Sequence, residues 1–346
     1  GIIGCAELGR PEPGQGLGLV AAGEEGEAAR VRMADLGEPA RGEAERFILE
    51  VLDDTQRAVL KEQREVDFVY AIEEFGRFRA NVFTQNGGIG AVFRVVPEIP
   101  PVLDDLGMPP AIRGLTLLNN GLVLVTGPTG SGKSTTLAAI IDEINSTAQK
   151  HIITIEDPIE FVHTSKRSVV SQRQVGRHTN SFANALRAAL RESPDVVVVG
   201  EMRDLDTVML VMNAAETGVL VFGTLHTNSA PKALHRIVDM VPDASREHVR
   251  GVLSVLLRGV IAQHLCKRAS GEGRVAAVEV LLQNYAISNM IRDNKVHLLG
   301  GYLESANPKE TGMQGLDPTL YRHVQMGLVS ADEAVRLANR PELMRE

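Results

Sequence analysis

Gly127-Pro128-Thr129-Gly130-Ser131-Gly132-Lys133-Ser134-Thr135 is the stretch on which the fold turns. It fits G-x-x-x-x-G-K-[S/T], with an apolar strand-like run before it, Leu122–Thr126, and helical spacing after it, from Ser134 towards Asn145. Glycines let a backbone wrap an anion with its N–H groups turned inward, and the helix N-terminus that follows adds positive potential. In this pattern Lys133 reaches the β- and γ-phosphates of ATP, and the Ser134 hydroxyl is a ligand for Mg2+. A chance glycine-rich turn would not also supply the strand, the helix, the Lys and the Ser. The motif predicts a nucleoside triphosphate site and is silent on what the energy drives.

Downstream, the runs Ile152–Ile155, Val169–Ser171, Val196–Val199 and Val219–Thr224 are apolar on both faces and alternate with helical segments. Strands covered on both faces of a parallel sheet read this way, so an α/β domain is expected. Ligands of such sheets sit at the carboxyl ends of the strands. There the sequence places Glu156-Asp157-Pro158, then Gly200-Glu201-Met202-Arg203-Asp204, then Thr224-Leu225-His226-Thr227. Glu156 is a candidate to orient or deprotonate water, Glu201 to act through Mg2+ or the attacking water, and His226 to contact the γ-phosphate. Asp204 reads as a helix N-cap and Asp195 as structural. From Ser229 the spacing is mostly helical, interrupted by one strand-like run, Arg274–Leu282. Ser330-Ala331-Asp332-Glu333 has the form of a capping box.

Upstream, residues 1–37 are glycine-rich with weak periodicity and are expected to be a poorly ordered or incomplete N-terminus. Residues 38–98 read as a small α+β domain. Helical spacing runs from Glu43 to Glu62, and Asp67–Tyr70, Gly76–Phe83 and Gly90–Val96 alternate like strands, with a hairpin turn at Asn86-Gly87-Gly88. In Arg77-Phe78-Arg79-Ala80-Asn81-Val82-Phe83 the aromatic and apolar residues are expected on one face and the polar ones on the other. Pro97, Pro100, Pro101, Pro109 and Pro110 mark a linker over 99–118, leaving 119–346 for the α/β domain and its C-terminal helices.

A chain of 346 residues suits two domains of about 150 residues each. Lys plus Arg number 36 against 44 Asp plus Glu, and a net charge of −8 argues against a general nucleic-acid binder. Cys5 and Cys266 are the only cysteines; they build neither a disulfide framework nor a four-Cys zinc site and suit a reducing cytoplasm. Val252–Leu265, the longest apolar candidate for a membrane span, is broken by Arg258 and falls short of the roughly 18 residues required. The start, Gly1-Ile2-Ile3-Gly4, does not read as a signal peptide.

With these motifs in view the sequence resembles the type II/IV secretion ATPase superfamily and, within it, the retraction ATPases of type IV pili. The resemblance runs from about Arg30 to the end and is carried by Gly127–Thr135, by Ile153–Phe161, by Val199–Asp204 and by Thr224–Thr227. It implies a RecA-like P-loop ATPase domain preceded by a PAS-like domain. It further implies a cytoplasmic homo-hexamer, peripheral at the inner membrane, that hydrolyses ATP with Mg2+ and pulls on a pilus for twitching motility. Its implied partners are an inner-membrane pilus platform protein and a paralogous retraction ATPase. The resemblance makes Glu156 the general base and Glu201 the Walker B acid and magnesium ligand, and it makes Arg77, Arg79 and Arg94 arginines that complete the site. Read without it, those arginines are an exposed strand face.

Three positions depart from the family pattern: Ser288 replaces the first Arg of a C-terminal signature, Val219 stands where a His is usual, and Gly87 where the hairpin usually carries Arg. Other readings are a pilus-extension or type II secretion ATPase, which usually carries a four-Cys module that two cysteines cannot build, and an ATP-binding regulatory ring subunit, which would have lost Lys133, Glu156 or Glu201. A small-molecule P-loop kinase would need a substrate lid, and no segment reads as one.

Overall fold

The computed structural model describes residues 45–72, 76–96 and 99–344. The N-terminal segment expected at 1–37 lies outside them. The chain divides into two compact units between Glu98 and Ile99.

In the small unit, β1 (Glu65–Ile72), β2 (Gly76–Gln85) and β3 (Gly88–Val96) form an antiparallel meander. Gln85 pairs with Gly88, so Asn86 and Gly87 are the whole hairpin loop. Ala80 and Val82 of β2 pack in the core with Leu60 of α1 (Asp54–Gln63), and Phe78, on the same face of the strand, is also buried. Arg77, Arg79, Asn81 and also Phe83 alternate to the other face, so Phe83 joins the polar residues rather than the apolar ones. Arg79 lies opposite Arg94 and Arg77 opposite Val96. The helical spacing from Glu43 to Glu62 is not one helix. Residues 45–50 are helical, and a new helix starts at Asp53, whose carboxylate accepts from Gln56 N at 2.8 Å while Gln56 Oε1 accepts from Asp53 N at 2.9 Å. That reciprocal cap stabilises a fresh helix start and so divides the run.

The large unit is a seven-stranded sheet in the order β10-β9-β4-β8-β7-β5-β6. Its members are β4 (Gly121–Thr126), β5 (His151–Glu156), β6 (Val169–Gln174), β7 (Val196–Val199), β8 (Leu220–Leu225), β9 (Leu257–Lys267) and β10 (Arg274–Leu282). All neighbouring pairs are parallel except the β9–β10 hairpin. Every residue of β4, β7 and β8 is buried, as strands covered on both faces require. Alternate residues serve two layers. Leu122, Leu124, Val197, Val199 and Val221 pack against α4 (Phe182–Ala189), α5 (Leu205–Glu216), α6 (Ala230–Asp239), α7 (Arg246–Leu256) and α8 (Tyr285–Arg292). Val123, Val125, Val196, Val198 and Phe222 pack against α3 (Lys133–Thr147) and α2 (Pro110–Thr116). Each aliphatic side chain so buried contributes ~1.5–3 kcal/mol.

Two further findings go beyond the sequence expectation. Leu103, Ile112 and Leu115, inside the proline-marked 99–118 stretch, belong to the buried core of the large unit. The region after Ser229 also contains a second long strand, β9, where helix was expected. Helix α7 passes into β9 at Leu256–Leu257 with no intervening turn, so its apolar run reads as one continuous helix in sequence. Gly259 marks the change: a Cβ there would lie 3.1 Å from Leu281 O and 3.2 Å from the Leu115 side chain, an approach that suits a strand interior.

Behind β10 sit α9 (Leu316–Gln325) and α10 (Ala331–Leu337). Ser330 caps α10 by accepting from Glu333 N, but Glu333 does not close the expected box; its carboxylate takes Lys267 N at 3.1 Å and pairs with Arg336. Glu279 on β10 is buried beneath this layer, accepting from Ala230 N at 2.6 Å and from the backbone of Leu316, the first residues of α6 and α9. Burial, helped by Asp317 and Glu304, pushes its carboxyl up to about 7 despite those two donors. Between the ordinary carboxylate range and that value the folded protein keeps a proton that the unfolded chain releases, so stability falls as pH rises through the window. Glu279→Gln removes the titration. The melting temperature of the variant minus that of the wild type should therefore increase from pH 5 to pH 8, by the equivalent of up to ~3 kcal/mol. A difference that is constant over that range would show that Glu279 does not titrate there.

Candidate functional site

Parallel register brings the site together. Thr126 pairs with Leu225, Val199 with Gly223 and Ile155 with Val199, so β4 and β8 end together, β7 stops two residues short of them and β5 runs one residue past the end of β7. Gly127 follows β4, His226 follows β8, Gly200-Glu201 follow β7 and Glu156 is the last residue of β5, all at the carboxyl edge. Thr126 Oγ1 donates to Thr227 O, and Met202 N donates to Thr224 O at 3.0 Å, tying these loops to one another. Gly200 N donates to Ile155 O at 2.7 Å. A Cβ on Gly200 would come within 3.2 Å of Glu156 Cα, so glycine lets the Glu156 and Glu201 segments lie this close.

The loop after β4 has φ +151° at Gly127, +78° at Gly130 and +86° at Gly132, all in the region that favours glycine. Gly132 is the N-cap of α3, which opens with Lys133, Ser134 and Thr135. β9 walls the loop: Gln263 Oε1 accepts from Thr136 Oγ1 at 2.7 Å, and its Nε2 would lie 2.8 Å from a Cβ on Gly132. The cradle fits a phosphate. Ser131 Oγ is buried with no hydrogen-bond partner among the described residues, and a side chain at Gly127 would fill the space between Ser131 and the Gln263 carbonyl.

Lys133 Nζ donates to Gly127 O at 2.8 Å and Pro128 O at 3.1 Å, and lies 3.5 Å from His226 Nδ1. His226 Nε2 is 3.0 Å from Glu201 Oε1, and Arg203 Nη2 is 2.6 Å from Glu201 Oε2. The structure thus links Lys133, His226 and Glu201, and adds Arg203, which sequence reasoning left without a role. Burial lowers the Lys133 ammonium from its ordinary value, opposed by Glu201 and Glu160. Glu201 is held below the usual range because Arg203 and His226 outweigh the cost of its burial. Glu156 behaves oppositely: burial raises it, against donors from Thr154 Oγ1 at 2.6 Å and Gln172 Nε2 at 3.1 Å. One carboxylate is biased to stay charged and its neighbour along the edge to bind a proton, a division that suits metal-facing and proton-accepting roles. Thr154 and Gln172 carried no motif; the alternation that puts Thr154 on the same face of β5 as Glu156 is the signal available for them.

Asp204 is the N-cap of α5, accepting from Thr207 N at 2.8 Å, and Asp195 accepts from His151 N at 2.8 Å. Both are structural, as expected. Ser288 Oγ donates to Ser254 O at 2.8 Å, fastening α8 to α7. Arg77, Arg79 and Arg94 belong to the small unit, on β2 and β3.

Residues 76–308 match the family model described as "Type II/IV secretion system protein". The chain belongs to that family. Among its relatives is a twitching motility protein of Neisseria gonorrhoeae, 47% identical over 91% of this chain and 83% of its own length. The type IV pilus retraction ATPase PilT of Pseudomonas aeruginosa is 49% identical over 86% of this chain and 85% of its own. Among solved structures, the pilus retraction motor PilT with bound ADP superposes with a TM-score of 0.83 at 45% identity, covering 91% of both chains. Within the secretion ATPase family the large unit is a RecA-like ATPase domain, with the phosphate loop after β4 and the acidic residues after β5 and β7.

The glycines of the loop give a graded prediction. Gly130→Ala meets only the positive φ, since nothing lies within 4 Å of a Cβ there, whereas Gly132→Ala also displaces Gln263. Left-handed backbone costs an L-residue about 1–2 kcal/mol, so both variants should bind a fluorescent ATP analogue less tightly, Gly132→Ala the more so. Equal affinities would show that the Gln263 wall does not shape the loop.

Proposed function

We propose that this chain is the motor ATPase of type IV pilus retraction, working as a homo-hexameric ring on the pilus platform protein at the cytoplasmic face of the inner membrane. The observation that carries the reading is the joined set Lys133, His226 and Glu201 at the strand edge, in a chain that matches retraction motors over nearly its whole length. ATP is the substrate. Lys133 balances charge on its β- and γ-phosphates, and the loop N–H groups from Gly127 to Thr135 cradle them. Ser134 and Glu201 are the protein ligands proposed for Mg2+, and a hydroxyl with a carboxylate held anionic suits that hard cation. When bound, Mg2+ neutralises charge on the phosphate oxygens. Glu156 takes the proton of the attacking water. His226, exposed at the edge and touching both Lys133 and Glu201, is placed to respond to the γ-phosphate. Arg77, Arg79 and Arg94 are proposed to serve a nucleotide held by a neighbouring subunit, where a guanidinium on the γ-phosphate contributes roughly 10³–10⁵ in rate. Among the described residues no helix is long and apolar enough to cross a membrane.

Lys133→Ala should lose about 10²–10³ in ATP turnover. Glu156→Gln should keep nucleotide affinity and lose phosphate release, because it removes a base and leaves the cradle. Steady-state phosphate release and fluorescent-ATP titration read the two quantities; unchanged turnover in Lys133→Ala would place hydrolysis elsewhere.

Ser288 in place of the signature Arg gives the extension or secretion reading a specific observation of its own. A deletion strain separates the two. Excess surface pili without twitching is the expected result; bald cells would mean that the motor extends.

A further inference from the structure

Strand β6 is an edge of the sheet, yet it carries the side chain that organises Glu156. In the parallel β5–β6 register Thr154 lies opposite Gln172 and Glu156 opposite Gln174, so Thr154, Glu156 and Gln172 share one face. Thr154, fully buried, donates from Oγ1 to Glu156 Oε1. Gln172 Nε2 donates to the same oxygen at 3.1 Å and to Phe161 O at 2.9 Å, and Gln172 Oε1 accepts from His163 N at 2.8 Å. The amide therefore spends both N–H groups and its carbonyl on two targets, Glu156 and the segment 157–163 that leaves it. Both side-chain donors converge on Oε1. Among the described residues no side-chain donor reaches Oε2.

We propose that Gln172 is a positioning residue for hydrolysis: it pins Glu156 through Oε1, locks the loop after β5 to the same amide, and so presents Oε2 to the attacking water. The inference rests on Glu156 being the general base and adds what orients that base and keeps it available. The remaining influences on Glu156 are few. Burial and the charge of Glu160 favour its protonated form, while Thr154, Gln172 and the Glu160 backbone favour the carboxylate. Removing the Gln172 donor leaves burial less opposed. The carboxyl then holds its proton to higher pH, and the base is lost first at the acid side of the profile.

The experiment is the pH dependence of kcat for wild type, Gln172→Met, Gln172→Glu and Thr154→Val, with nucleotide affinity and melting temperature measured on the same preparations. Hydrogen bonds to charged groups are worth enough to move a carboxyl by about one to two pH units. Gln172→Met should therefore shift the acidic limb upward by about one pH unit and lower kcat by up to about tenfold on the acid side of that limb, with affinity within about twofold of wild type. Thr154→Val, which deletes one donor to the same oxygen, should shift the limb in the same direction. Gln172→Glu keeps an acceptor for His163 N but puts a second carboxyl against the first, and should shift the limb furthest; if Gln172→Met does not fold, this variant decides. An acidic limb that stays in place in the folded Gln172 variants, while Glu156→Gln is inactive, overturns the positioning role and leaves Glu156 as base. Full activity in Glu156→Gln overturns both.

Discussion

Hydrogen bonding between β4, β8, β7 and β5 in parallel register is the constraint on which the site depends. β4, β7 and β8 have no polar face to expose, so they are held between two helix layers, and their register fixes how far apart along the edge their ends lie. Loops with no sequence proximity then emerge side by side: the phosphate loop, the His226 turn, the Glu201 turn and Glu156. A slip of one residue in any pairing would move a carboxylate along the edge by ~3.3 Å and turn each strand's side chains to the opposite helix layer. The all-apolar β7, Val196 to Val199, thus fixes the position of Glu201 as firmly as any residue that touches it.

The polar groups at that edge compensate one another locally. Lys133 is tethered to the carbonyls of its own loop and lies near His226; His226 leans on Glu201, which also pairs with Arg203. Phosphate oxygens would compete for Lys133, and a bound cation would compete for Glu201. Ligand arrival is thereby an exchange of partners within one connected set, in which Arg203 is three links from Lys133, through His226 and Glu201. Glu156 stands apart from this set, governed by burial and by Thr154 and Gln172.

The sequence carried the architecture well where residue type alone decides it. Gly127 to Thr135 announces its loop because few backbones tolerate three positive φ angles, and buried parallel strands announce themselves by lacking alternation. It carried less where neighbours in space decide. The apolar run from Val252 to Leu265 is a helix and then a strand because β4 and β10 offer pairing partners to its second half, and no local preference contains that information. Asp53 divides the first helical stretch through a cap that composition did not stress. Arg203 follows the Glu201 motif in plain sight, but its ion pair depends on how the turn folds back. Gln172 sits on a strand whose short apolar run, Val169 to Ser171, draws attention away from the polar half that holds Glu156.

Gln263 has a consequence for how this chain can vary. One side chain on β9 both receives Thr136 and occupies the space beside Gly132. Neither position can be enlarged alone: a bulkier loop residue meets the amide, and a bulkier residue on β9 meets the loop. A change at one of the two sites is therefore best accommodated together with a compensating change at the other. The link spans more than a hundred residues of chain, so the fold's most recognisable segment is partly under the genetic control of a strand that bears no motif.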